Sequence, residues 1–168
     1  PLIDVCLRYT DIVADWGKSG GIFLSGTDEV RITTHDHPCR HPGYVERVTE
    51  YHTPAGLIWR ADLHNPYGLP GYAVKYLIES VEDAKRFLSI PYVPIRDDLT
   101  GFFERDRELG DRGIVMADLG GEPMYGINAL IGSERFAIWS IEERPLLHRL
   151  FDAWFERQYD YLKYQLEG

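Results

Sequence analysis

The segment that most limits how this chain can fold is Gly113-Ile-Val-Met-Ala117, a short continuous apolar run bounded by glycine. Such a run predicts a strand buried on both faces, as in a parallel sheet. Directly after it, Gly120-Gly-Glu-Pro123 supplies a turn and sets Pro123 at the first position of a helix running from Met124 to Ile131. Strand, glycine turn and helix make a βα unit, so an α/β fold is expected.

The rest of the chain is read around this unit. Val5, Tyr9, Ile12 and Val13 recur at helical spacing between Leu2 and Trp16, and Gly17, Gly20 and Gly21 end the pattern, which predicts a helix. Gly21–Ser25 and Val30–Thr34 read as a hairpin, His35–Gly43 as turn chemistry, and Tyr44–Glu50 as a further strand broken by Thr53-Pro-Ala-Gly56. A small meander ending near Trp59 follows. Asp62–Tyr72, with Pro66, Gly68, Pro70 and Gly71, reads as a loop. Ser80-Val-Glu-Asp83 predicts an N-cap leading into a helix to Ile90, and a second helix is expected from Asp97 to Leu109, closed by Gly110. Ser140-Ile-Glu-Glu143 has the form of a capping box. It precedes an apolar stripe of Leu146, Leu147, Leu150, Phe151, Trp154, Phe155, Leu162 and Leu166 that predicts a long terminal helix.

With 168 residues, 44% of them hydrophobic, the chain is expected to fold as one unit rather than remain disordered. Its net charge of -9 offers no electrostatic footprint for a phosphate backbone, so nucleic acid is not an expected partner. Two cysteines, Cys6 and Cys39, are too few for a disulfide framework. No apolar run reaches the roughly 20 residues that span a bilayer, and no secretory signal opens the chain. A cytoplasmic protein without membrane partners is the expectation. Because the chain begins on Pro1 rather than Met, further residues are expected upstream.

Several constellations carry chemistry on paper. His35-x-His37-x-Cys39-x-His41 gathers four residue types that ligate zinc, but Pro38 and Pro42 interrupt any regular element and a solvated loop is the expected reading, with no metal assigned. Gly17-Lys18-Ser19 resembles the end of a phosphate loop, yet Ile12 stands where its first glycine is required. Cys39 has histidines near it in sequence only, and Ser25 and Ser133 lack a nucleophile elbow. His52 and Arg60 flank the Thr-Pro-Ala-Gly turn and read as surface residues on the strands. His148 and the aromatic series Trp154, Phe155, Tyr159, Tyr161 and Tyr164 read as rim and core of the long helix. Asp118 directly follows the best strand. It reads either as a site carboxylate or, with Glu122, as a residue satisfying the turn and the positive end of the next helix.

Three segments in order resemble the uroporphyrinogen decarboxylase superfamily of heme-pathway decarboxylases and corrinoid-dependent methyltransferases. Tyr51-His-Thr-Pro-Ala-Gly-Leu57 looks like the "TPxG" strand pair inserted in divergent members. Ile78-Glu-Ser-Val-Glu-Asp-Ala-Lys-Arg-Phe87 is similar to "(I/V)K(T/S)xEDxK" at a helix start, and Gly113–Glu143 to the strand, "G.P" turn, helix, "G.E.F" and "PE" region. The resemblance implies a (β/α)8 barrel, a fold that needs about 250 residues. The chain is therefore read as one partial barrel domain over 1–168, with a strand-rich insertion at 21–60 and helices with the βα unit at 78–168. By the same resemblance, Asp118 is the candidate catalytic residue and Glu122, Tyr125 and Asn128 are candidate substrate-binding residues in the barrel mouth. Asn128 and Ala129 stand about where the decarboxylases carry a tyrosine, which favours the methyltransferase-like branch. The implied substrate is a tetrapyrrole or a corrinoid-linked methyl group. The family's zinc ligands, a His-x-Cys and a distant Cys, would fall outside this chain, as would the arginine-rich loop that gathers substrate carboxylates in the decarboxylases. Two alternatives stand beside this reading: decarboxylation of uroporphyrinogen, and a non-catalytic partial barrel whose open parallel edge pairs with a partner chain or, as a homodimer, with a second copy.

Overall fold

The computed structural model describes residues 5, 8–16, 23, 29–119 and 121–167. They form a mixed α/β structure with a two-stranded parallel sheet and a four-stranded antiparallel sheet, and no closed barrel is formed among the described residues. Gly17-Lys18-Ser19 and nearly all of the strand expected at Gly21–Ser25 lie outside them.

Val5, Arg8 and Tyr9 are helical, but the helix expected to reach Trp16 gives way to strand β1, Ile12–Trp16. Ile12 and Val13 are β-branched, and parallel pairing with β6 (Gly113–Ala117) overrides the helical spacing read from single positions. The register runs from Ile12 opposite Gly113 to Trp16 opposite Ala117. A Cβ at Gly113 would run into the Ile12 carbonyl, so glycine is what permits this approach. The parallel direction expected of β6 is found, but burial on both faces is not. Ile114 is 62% and Met116 53% exposed, because one helix covers one face of a sheet only two strands wide.

The antiparallel sheet has the order β2-β3-β4-β5, with β2 Arg31–Pro38, β3 Val45–Thr53, β4 Gly56–His64 and β5 Tyr72–Lys75. The turn reading of His35–Gly43 is corrected here, since β2 continues to Pro38. Proline is tolerated at the end of an edge strand, and Arg47 on β3 anchors the extension with two hydrogen bonds to Asp36, 2.8 and 2.9 Å. The β3–β4 turn is the expected Thr53-Pro-Ala-Gly56, closed by the Thr53 hydroxyl donating to the Gly56 carbonyl at 2.7 Å. Beyond the expected meander, β4 runs past Trp59 to His64 and β5 adds a fourth strand.

Helix α1, Val81–Leu88, begins as expected, with Ser80 Oγ accepting from the Asp83 N–H at 3.1 Å. Helix α2, Thr100–Leu109, packs on β6 and β1. Helix α3, Pro123–Ile131, has Pro123 at its start, and α4, Ser133–Glu142, follows through Gly132. The capping-box reading at Ser140 is overturned. Ser140 lies inside α4 with its hydroxyl donating to the Ala137 carbonyl at 2.7 Å, and the long helix α5 spans Arg144–Glu167. Pro145 in the first turn of α5, where no intrahelical N–H is needed, marks that start better than the Ser-x-x-Glu spacing does.

The core joins α1, α3, α4 and α5 to the base of the antiparallel sheet. Ile58, Ile78, Phe87, Ile90, Ile127, Ile131 and Leu150 are fully enclosed. One charged side chain enters this core. Arg157 on α5 is 6% exposed, donates to the carbonyls of Phe23 (2.9 Å) and Ile90 (2.6 Å), and lies over the Phe23 ring. Its burial pulls the guanidinium pKa down to about 10. No helix among the described residues is long and apolar enough to cross a membrane.

Candidate functional site

Because β1 and β6 run in the same direction, their C-terminal residues Trp16 and Ala117 end side by side. The Asp118 N–H then donates to the Trp16 carbonyl at 2.9 Å, carrying the pairing one residue past the strand. A cavity of about 680 Å³ opens there, and its lining includes Asp15, Trp16, Met116, Asp118, Glu122 and Gln158. Parallel α/β sheets place ligands at the carboxyl ends of their strands, which makes this mouth the candidate site.

Each wall has a local cause. The side chain of Gln158, on α5, donates to the carbonyls of Leu119 (3.1 Å) and Gly121 (2.5 Å), fastening the turn after β6 to the long helix. Glu122 is the N-cap of α3, accepting from Met124 N–H at 2.9 Å on one oxygen and from Tyr125 N–H at 2.8 Å on the other. That is the structural role weighed for it from the sequence. Tyr125 is 69% exposed and Asn128 half-buried on α3, and neither lines the mouth. Asp118 and Glu122 are thus brought together, while Tyr125 and Asn128 stand away from them. Asp15, Trp16 and Gln158 were missed. The first two were hidden by the helical reading of β1, and Gln158 sits one residue from the buried face of α5.

The segment 91–99, which leads into α2, is tied to α5 by Tyr92 and Arg96 on the Asp160 carboxylate. Arg96 engages it through two bonds of 2.9 and 3.1 Å, and the Tyr92 hydroxyl donates to the same group. Next to them, Tyr161 donates to the Asp97 carboxylate at 3.1 Å and Tyr164 to the Asp97 carbonyl at 2.6 Å. Arg96 and Tyr92 hold Asp160 below the usual carboxyl value. Burial first, and then the hydrogen bond to Asp160, push the Tyr92 phenol up to about 12.

The histidine-rich stretch does not converge. Cys39 Sγ donates to the Tyr44 carbonyl (3.2 Å), His41 Nε2 lies 3.4 Å from the Tyr72 hydroxyl, and His35 and His37 are exposed on β2. Arg60 forms a bidentate pair with Asp62, and His52 lies 3.9 Å from Glu50. Among the described residues, no three His, Cys, Asp or Glu side chains are placed to hold a metal ion, so the side chains present do not fit a zinc centre. Compared with family models, curated proteins and solved structures, the chain shows no match to any of them.

Proposed function

We propose that this chain forms part of a (β/α)8 barrel of the uroporphyrinogen decarboxylase type, from its corrinoid-linked methyltransferase-like branch, with the antiparallel strands as an insertion. The single observation that carries the reading is the mouth: two parallel strands ending together on a cavity that holds Asp118. In this reading Asp118 orients the substrate or moves a proton, Glu122 holds the N-terminus of α3, and Gln158 fixes the turn between them. A bound corrinoid would supply the methyl-carrying metal centre. Zinc has no place among the described side chains.

The test uses the natural polypeptide with methylcobalamin, following binding by calorimetry and loss of the methyl group to a thiol acceptor by absorbance. Saturable binding is expected, with Asp118→Asn lowering kcat by roughly a hundredfold while binding persists. Absence of both binding and turnover would sink the methyltransferase reading. Consumption of uroporphyrinogen III with release of carbon dioxide would replace it by the decarboxylase.

One observation favours the reading as a partial barrel that needs a partner. Val13, Ile114 and Met116 leave an apolar face exposed on the parallel pair, where parallel sheets are ordinarily covered on both faces. Light scattering distinguishes the two readings: a stable dimer supports the partner-dependent form, and a lone soluble monomer with catalytic turnover removes it.

A further inference from the structure

A second cavity, of about 390 Å³, lies against the mouth and shares Trp16, Ala117 and Leu119 with it. Its walls are apolar: Trp16 from β1, Leu99, Phe102 and Phe103 around the start of α2, and Leu162 and Leu166 from α5. Phe102 meets Trp16 edge-on, with ring centroids 5.6 Å apart, and Phe103 meets Phe102 in the same way at 5.4 Å. Gln165 also borders the cavity, but both its amide atoms are enclosed in the fold. Water in this chamber would lack the polar partners that hold a buried water, whereas an aromatic group of a ligand matches both its size and its walls.

The residues shared by the two cavities fix where charge enters. Asp15 immediately precedes Trp16, and Asp118 stands between Ala117 and Leu119, so both carboxylates line the mouth where it borders the apolar chamber. Glu122 adds a third, with its two oxygens on the N–H groups at the start of α3. No lysine, arginine or histidine is among the described residues that line either cavity. The mouth therefore sets negative charge beside an apolar chamber, and the net charge of -9 strengthens the field that draws a cation to it. A carboxylate or phosphate headgroup would be repelled there, and a second copy of this acidic chain would bring like charge.

We propose that the chamber and the mouth form one bipartite site for a small organic cation, with an aromatic body in the Trp16–Phe102–Leu162 chamber and an ammonium head at Asp15 and Asp118. The Trp16 and Phe102 rings offer the body edge and face contacts. The N–H groups of the head make charge-assisted hydrogen bonds to the carboxylates. A chamber of about 390 Å³ takes a ligand of roughly two fused rings and not a polypeptide helix, which points to a small molecule. The inference rests on the mouth being the binding site, and not on methyl transfer or decarboxylation within it.

Calorimetry with tryptamine, tryptophol and indoleacetate tests it, since the three share a ring system and differ in the charge of the head. The wild-type chain is expected to bind tryptamine roughly tenfold or more tighter than tryptophol, and indoleacetate weakest. Ethylamine, which keeps the head and lacks the ring, is expected to bind far more weakly than tryptamine. The double variant Asp15→Asn, Asp118→Asn is expected to bring tryptamine and tryptophol to within about twofold of each other. Equal binding of the three indoles, ethylamine binding as tightly as tryptamine, or a tryptamine preference that survives the double variant each overturns the proposal. Where that variant fails to fold, salt decides on the wild-type chain: the preference is expected to shrink as ionic strength rises, and a preference indifferent to salt overturns it. No binding of any probe also overturns it, and would leave the chamber to the packing of another polypeptide. A tryptamine preference without turnover of methylcobalamin keeps this site and removes the methyl-transfer reading, and turnover without the preference does the reverse.

Discussion

The antiparallel sheet and the parallel pair meet water in different ways. In β2–β5 ion pairs such as Asp36 with Arg47 and Arg60 with Asp62 stand among exposed apolar side chains that include Ile32, Trp59 and Val74, and Ile58 is enclosed against the helices. In β1–β6 the exposed face carries Val13, Ile114 and Met116 beside Asp15, α2 packs on the pair, and Gln158 on α5 holds the turn that follows β6. Antiparallel sheets are stable with one wet face, whereas parallel strands ordinarily have cover on both. Both sheets therefore leave apolar side chains in water, but the antiparallel one sets ion pairs among them, whereas the exposed face of the parallel pair is the more suited to further packing.

The largest effect that tests this contrast is expected where the antiparallel sheet enters the core. Ile58→Ala removes a side chain that is 1% exposed and should cost about 2–5 kcal/mol in denaturant unfolding. A loss under 1 kcal/mol would mean that this sheet is only loosely joined to the helices. Gly126→Ala probes the anchorage of the other half. Gly126 lies in the helix after β6, and an added Cβ would enter the Trp154 indole, so a loss of about 1–3 kcal/mol is expected. Unchanged stability would show that α3 and α5 separate easily.

The clamp that leads into α2 should give a smaller, pH-dependent effect. Arg96→Met is expected to lower stability only slightly at neutral pH, since the pair is solvent-exposed and screened. Asp160 is held below its ordinary 3.8 in the folded chain, so its contribution is complete above that value and is lost as pH falls through the lowered pKa. The wild-type advantage over Arg96→Met should accordingly shrink in acid. Tyr92 gives the opposite sign. With its pKa raised from 10.0 to about 12, its contribution is complete below pH 10 and is lost as pH rises towards 12, so the melting-temperature gap between wild type and Tyr92→Phe should close over that window. A gap that stays constant with pH in either variant would show that the ionised partner contributes nothing there.

The smallest effect is expected at Ile114→Lys. On an exposed position the change should stay within about 0.5 kcal/mol. A larger loss, accompanied by a change in solution mass, would mean that the apolar face of the parallel pair is covered in solution, which sharpens the contrast between the sheets.

Much of the fold was legible because local chemistry and tertiary packing agree. The Ser80 cap, Pro123 at the start of α3, the apolar stripe of α5 and the Thr53–Gly56 turn each rest on interactions within a few residues. The mouth was half legible, since Asp118 and Glu122 follow the clearest strand. Asp15 and Trp16 were not, because Ile12–Trp16 is strand only by virtue of pairing with residues about a hundred positions later. Likewise, the Ser140 spacing matched a capping box, yet the break fell at Glu143 before Pro145.

By itself the amino-acid sequence determined the existence and direction of the βα unit, most helix starts, the acidic balance and the carboxylate after β6, since each depends on neighbours in the chain. Only the tertiary structure decided that β1 is a strand, that β2 extends through His35 and His37 and that Arg157 is buried on carbonyls. Those outcomes are set by which distant groups satisfy or cover one another, and hydrogen-bond pairing and burial across the fold are not encoded in any local spacing.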